Sequence, residues 1–101
     1  MQLLKDDMND VELLVNAKVE VEVSQEQFDA LVIFAFNIGN GGFASSTALK
    51  KINEGRPLSE IEPWWKAWNK ITLKGKKQVS KGLDNRRATE WVLYSEGIYS
   101  A

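Results

Sequence analysis

"FDALVIFAFNIGNGGF", residues 28–43, is almost entirely apolar until it breaks into glycine and asparagine. Just upstream, Ser24 and Gln27 have the spacing of a capping box, so the stretch is predicted to be a helix over residues 25–38. Phe28, Leu31, Val32, Ile33, Phe34, Phe36 and Ile38 then leave it no polar face, and such a helix belongs inside its own domain. Gly39 is placed to end it in a left-handed cap, with "GNGG" turning the chain. Asn37, an amide near the end of this apolar helix, has two readings. It is a cap or satisfied core amide, or it faces a ligand.

Composition bounds the alternatives. The chain has 101 residues, 44% hydrophobic and 27% charged, which suits one small globular domain. It has no cysteine, so disulfide scaffolds and thiolate metal sites are excluded. It also has no histidine, which removes imidazole bases and most zinc sites. Carboxylates, lysine, tyrosine and hydroxyls remain as possible catalytic groups. No apolar run approaches the ~18 residues of a membrane span, and the acidic "MQLLKDDMND" is unlike a signal peptide.

The net charge of −1 conceals an asymmetry: residues 1–62 carry 5 basic and 11 acidic side chains, residues 63–101 carry 8 and 3. All eight of those cations lie between Lys66 and Arg87, against the single acid Asp84. Such a segment either keeps the surface solvated or favours an anionic partner: nucleic acid, acidic lipid, or a wall rich in carboxylate and phosphate.

Working outward from the central helix, Leu4, Met8, Val11 and Val15 form one face of an opening helix over residues 1–18. "VEVEV" (19–23) alternates like a strand but lacks an obvious partner, and reads as an extended linker. Ser45 or Ser46 caps a short helix bearing Leu49 and Ile52, stopped at Gly55. A capping box of Ser59 and Glu62, or Pro63 in a first turn, opens "PWWKAWNK", where Trp64 and Trp68 share a face. The lysine-rich "ITLKGKKQVSKG" reads as a loop. A last helix starts near Asp84 with Ala88, Trp91 and Val92 inward, and residues 95–101 form a fraying tail. The expectation is one mainly α domain, a compact bundle of about five helices with Leu4, Met8, Val11, Trp64 and Trp91 over the central helix.

Two chemistries fit a wall of tryptophans with a few amides. Aromatic rings stack on the C–H faces of sugars while amides read hydroxyls and acetamido groups. Lysines interleaved with aromatics, as in Lys70 to Lys81 beside the tryptophans, also suit single-stranded nucleic acid. Clustered tryptophans can equally be plain core.

Ordered motifs decide between them. "SQEQFDALVIFAFNIGNGGFASSTALKKINEG", "WNK" at 68–70 and "GLDNRRATE" at 82–90 resemble the C-terminal helical lobe of the phage-type lysozymes, the muramidase endolysins. The opening helix is similar to the segment that joins that family's two lobes, so the resemblance spans about residues 1–94 and residues 24–94 correspond to the helical lobe. It implies hydrolysis of the β-1,4 bond between N-acetylmuramic acid and N-acetylglucosamine in peptidoglycan, by a phage-encoded protein made in host cytoplasm and acting on the wall. It implies no metal or organic cofactor, and a monomer. Phe36 and Asn37 would line the floor of the glycan cleft and Trp68 would pack against or hydrogen-bond near Asn37, with Asn69 and Ser45 or Ser46 at the rim. Arg86 and Arg87 would hold the last helix to acidic partners such as Glu90.

The resemblance also exposes a gap. The family's N-terminal lobe carries a Glu-x8-Asp-x5-Thr catalytic set, and no such set lies in this chain. Glu20 and Asp29 have the first spacing, but residue 35 is Ala and Asp29 belongs to the helical-lobe motif. No residue here is therefore expected to be catalytic. Met1 falls where the interlobe helix begins, so a separate N-terminal catalytic lobe is an expected partner.

Overall fold

In the computed structural model, which describes residues 2–73 and 75–99 and the side chains of 10–70 and 75–99, the central helix is α2, Gln25–Ile38. Both halves of its capping box are made: Gln27 N donates to Ser24 Oγ at 3.1 Å and Ser24 N to Gln27 Oε1 at 2.9 Å. Ala30, Leu31, Val32, Phe34 and Ala35 are buried. Gly39 ends the helix at φ 93°, ψ 152°, so it is positive in φ but extended, outside the left-handed helical cap expected. That region is essentially restricted to glycine. The following "NGGFA" is not a plain turn; it coils into a short helix α3, Asn40–Ala44, which buries Phe43.

The other elements wrap this axis. Helix α1, Gln2–Lys18, and helix α6, Lys81–Glu96, pack along α2. Val11 and Val15 of the expected α1 face are buried; the side chains of Leu4 and Met8 lie outside the described residues. The linker follows its alternation: Val19, Val21 and Val23 pack against the core while Glu20 and Glu22 face water. Asn53 pins it, donating to Lys18 O at 2.9 Å and accepting from Glu20 N at 2.8 Å. Helix α4, Thr47–Asn53, is capped by Ser46 rather than Ser45.

Helix α5, Leu58–Lys66, departs from the predicted start. Pro57 is its N-cap, no side chain caps it, and Pro63 sits inside it. The hydrogen bond that Pro63 cannot make would have reached the carbonyl of Ser59, which is exposed and open to water, so the helix continues through the proline. The earlier start changes which tryptophan is core. Trp65 follows the buried Ile61 by four residues and is 0% exposed, whereas Trp64, expected over the central helix, is 46% exposed and Trp68 37%.

Trp65 is the hub of the aromatic core. It stacks on Phe34 with ring centres 4.3 Å apart, and meets Tyr94 at 5.0 Å and Trp91 at 5.5 Å. Phe43 meets Phe34 edge-on at 6.3 Å.

The lysine-rich segment is not a loop. It forms a hairpin of β1, Lys70–Leu73, and β2, Lys76–Val79, antiparallel with Lys70 opposite Val79 and Leu73 opposite Lys76. Gly75, at φ 79°, turns it; Lys74 lies outside the described residues. Helix α6 starts three residues before Asp84, with Ser80 Oγ accepting from Leu83 N. Its inward residues are Arg87, Glu90, Trp91, Leu93 and Tyr94; Ala88 is exposed and Val92 half-buried, against expectation. Nor do all the residues after 94 fray: Gly97 caps α6 in the left-handed conformation and the Tyr99 hydroxyl donates to Asp29. The described residues thus form six helices and one hairpin, where about five helices were expected.

Replacing Phe34 by Ala is expected to cost about 3–5 kcal/mol, the usual range for a buried aromatic ring. Ile33→Ala, on the exposed side of the same helix, should fall within about 0.5 kcal/mol of wild type. Urea unfolding of both variants checks this; equal losses would contradict the burial pattern.

Candidate functional site

A charged pair lies under the end of α2. Glu90 and Arg87, three residues apart on α6, are 3% and 1% exposed. Glu90 Oε2 accepts from Arg87 Nη2 at 2.7 Å and from Asn37 Nδ2 at 3.0 Å. Glu90 Oε1 accepts from Trp65 Nε1 at 3.3 Å and stands 2.7 Å from Arg87 Nε. The Nε–H is not aligned on that oxygen, so the contact is ionic rather than a hydrogen bond. Arg87 Nη1 donates to the carbonyl of Trp68 at 3.2 Å, and the guanidinium sits 5.5 Å from the Phe34 ring centre. Burial pushes the Glu90 carboxyl above its ordinary value, against the downward pull of Arg87, Asn37 and Trp65.

This network settles how Asn37 is held. Its Nδ2 donates both to Ile33 O at 2.9 Å and to Glu90, and its Oδ1 accepts from Arg86 Nη1 at 3.0 Å. Both amide hydrogens are committed, and one lone pair on Oδ1 is left for solvent or a ligand. The residue stays exposed while its orientation is fixed from below. Of the two arginines, Arg87 takes the acidic partner and Arg86 takes the amide.

The remaining predicted site residues fall in three places. Phe36, half-buried, lines a hollow of about 320 Å³ with Asp10, Val11 and Asn40. Trp68 lines a cleft of about 500 Å³ with Ala67, Lys70 and Lys77. Its ring lies against Gly42, where an added Cβ would come within 3.3 Å of Cη2. Gly42 and Asn40 both belong to helix α3 but stand two positions apart in it, so the Phe36 hollow with Asn40 and the Trp68 edge with Gly42 are separate. Asn69 is occupied below that edge: Nδ2 donates to Asp84 Oδ1 at 3.1 Å and its carbonyl accepts from Ser80 N at 2.7 Å, closing the hairpin onto α6.

Ser45 and Ser46 line a different hollow with Lys18, Glu20, Lys50 and Asn53. Ser46 is buried, donating to Phe43 O at 2.8 Å and accepting from Leu49 N at 3.1 Å. Ser45 is exposed and donates to Gly41 O at 2.9 Å. Glu20 is exposed on the linker, while the Asp29 carboxylate holds Gln25 and Tyr99. Sequence reasoning passed over Asp10, Asn40 and Gly42; for the last two "GNGG" was the available signal, and Asp10 carried none.

The phage lysozyme family model matches residues 1–90. The endolysin of Bacillus phage PZA is 46% identical over 96 residues, covering 94% of this chain and 35% of that protein. The endolysin of Acyrthosiphon pisum secondary endosymbiont phage 1 is 36% identical over 91 residues, 90% of this chain and 62% of that protein. Among solved structures, the endolysin from Escherichia coli O157:H7 phage FAHEc1 superposes with a TM-score of 0.92 at 37% identity, over 99% of this chain and 63% of its own. The muramidase domain of SpmX from Asticaccaulis excentricus gives a TM-score of 0.85, also at 37% identity, over 93% and 63%. The chain therefore spans between about a third and two thirds of each of these relatives. Among the described residues, no helix is long and apolar enough to cross a membrane.

A pH measurement reports on the buried pair. A carboxyl whose folded pKa lies above its unfolded value contributes stability that is complete below the unfolded value and is lost as pH rises through the folded one. The stability of wild type relative to Glu90→Gln should therefore fall as pH is raised from about 4.5, the ordinary value of the group. At neutral pH, Glu90→Ala strands the Arg87 charge and should cost about 3–5 kcal/mol. Urea unfolding across this pH range checks both; a wild-type advantage that grows with pH would contradict the burial effect on Glu90.

Proposed function

The chain belongs to the phage lysozyme family, and on that premise we propose that it is the glycan-holding helical lobe of a peptidoglycan muramidase. The reaction of the whole protein would be hydrolysis of the β-1,4 bond between N-acetylmuramic acid and N-acetylglucosamine, on the wall of a phage host. Here the chain supplies one side of the cleft. The observation that carries this reading is the Trp68 indole, partly exposed and seated on Gly42. A sugar offers that surface its C–H face, and hydroxyl and acetamido groups would be met by the free lone pair of Asn37 and, at the Phe36 hollow, by Asp10 and Asn40.

Cleavage needs more than this edge carries. Glycoside hydrolysis uses two carboxyl groups about 5–5.5 Å apart in retaining enzymes and about 6.5–9.5 Å apart in inverting ones, one of them protonated at the leaving oxygen. Glu90 has the raised pKa of a general acid, but its two oxygens are taken up by Arg87, Asn37 and Trp65. Asp29 is held by Gln25 and Tyr99, and Glu20 sits on an exposed linker. In this reading the chain alone binds glycan without cutting it, and a lobe carrying Glu-x8-Asp-x5-Thr supplies the chemistry.

Purified chain should leave a suspension of peptidoglycan turbid while sedimenting with it. Trp68→Ala should weaken retention about two- to tenfold, the worth of ~0.5–1.5 kcal/mol for an aromatic contact, with unchanged urea unfolding. Adding an N-terminal lobe, fused or in trans, should restore clearing. Clearing by the chain alone that vanishes in Glu20→Gln would overturn the division of labour.

A further inference from the structure

The hairpin sets two cations beside the exposed tryptophan. Because Lys70 pairs with Val79 and Thr72 with Lys77, Lys70 and Lys77 occupy diagonal positions on one face of the two-stranded sheet. Both line the 500 Å³ cleft with Trp68 and Ala67, a volume within the range of small-ligand sites. Trp68 is fixed from behind by Gly42 and by the hydrogen bond from Arg87 to its carbonyl.

The two ammonium groups have no direct ionic partner among the described residues, and the polar partner of Lys70 Nζ is the neutral Asn69 Oδ1 at 3.4 Å. Asp84, the single acid between Lys66 and Arg87, is engaged by Nδ2 of the same Asn69 and makes no ion pair with either lysine. Lys66, by contrast, pairs with Glu62. Like charges on one face of a hairpin repel, and the backbone ladder holds these two in place. An anion bound between them relieves that repulsion while the ring it belongs to lies on the indole.

We infer that the Trp68–Lys70–Lys77 cleft reads an acidic substituent on the glycan: a sugar stacked on Trp68 with a carboxylate or phosphate between Lys70 and Lys77. This rests on the glycan-holding role proposed above and adds a chemical preference to it. The carboxylate would come from the peptide-bearing strand and the phosphate from a wall polymer attached to it.

The test compares retention on chitin, a neutral glycan, with retention on sacculi, on sacculi stripped of phosphate by hydrofluoric acid, and on sacculi whose carboxyls have been amidated. Wild type should prefer untreated sacculi over chitin, and one of the two treatments should abolish that preference and so identify the anion. K70Q/K77Q should lower the sacculi-to-chitin ratio about tenfold, the sum expected of two solvent-accessible ion pairs. Trp68→Ala should weaken both supports and leave the ratio standing. A ratio unchanged in K70Q/K77Q, or unchanged by both treatments, overturns the inference while leaving the glycan role intact. Wild type retained on neither support counts against the glycan role itself. Displacement from sacculi by single-stranded DNA at equal phosphate concentration would overturn the inference in favour of nucleic acid as the anion.

Discussion

The ion pair between Arg87 and Glu90 is the constraint on which the site depends. Both groups are removed from water, which is costly unless every remaining donor and acceptor is used. Here nearly all are: Glu90 gathers Asn37 from α2, Trp65 from α5 and Arg87 from its own helix, and Arg87 reaches on to the carbonyl of Trp68. Two remote stretches, Asn37 of α2 and Trp65 to Trp68 at and beyond the end of α5, are thereby fixed to α6 through this pair. Asn37 and Trp68 are both candidate glycan-facing residues, and each is held from inside the core.

A buried pair of this kind contributes more to geometry than to stability. The Phe34–Trp65 stack and the surrounding aliphatic residues supply the apolar burial, and the polar network sits across that stack with Arg87 over Phe34 and Trp65 bonded to Glu90. An apolar substitute for the pair could fill the same volume, but it would release Asn37 and the Trp68 loop. The same arrangement explains why Glu90, although buried and raised in pKa, does not resemble a free general acid.

Much of this was legible in the sequence where one physical signal dominated. The capping box of Ser24 and Gln27 and the unbroken apolar run fixed α2 almost to the residue, and "VEVEV" was read as an extended linker, whose valines the structure packs on the core. The "GLDNRRATE" block foretold the link from Arg87 to Glu90. Errors arose where signals competed. Pro63 masked a helix that begins at Leu58, and that shift exchanged Trp64 for Trp65 as the core residue. Lysines obscured the hairpin, because charge reads as loop even when the two strands pair about a turn at Gly75. In α6 the inward stripe begins with two charged residues, Arg87 and Glu90, so periodicity of apolar residues alone pointed to Ala88. Of the candidate site, Phe36, Asn37 and Trp68 were named from resemblance, while Asp10 and Asn40 become neighbours of Phe36 only through the packing of α1 and α3 on α2.

The central claim is that a rigid core presents Trp68, and not the other tryptophans, to a glycan. Its most direct test is a titration of the four indole N–H signals by heteronuclear NMR with a soluble peptidoglycan fragment. The account predicts a saturable shift of the Trp68 signal, with the Trp65 signal, bound to Glu90, left in place. A Trp68 signal that stays fixed, or a uniform shift of all four, would contradict it.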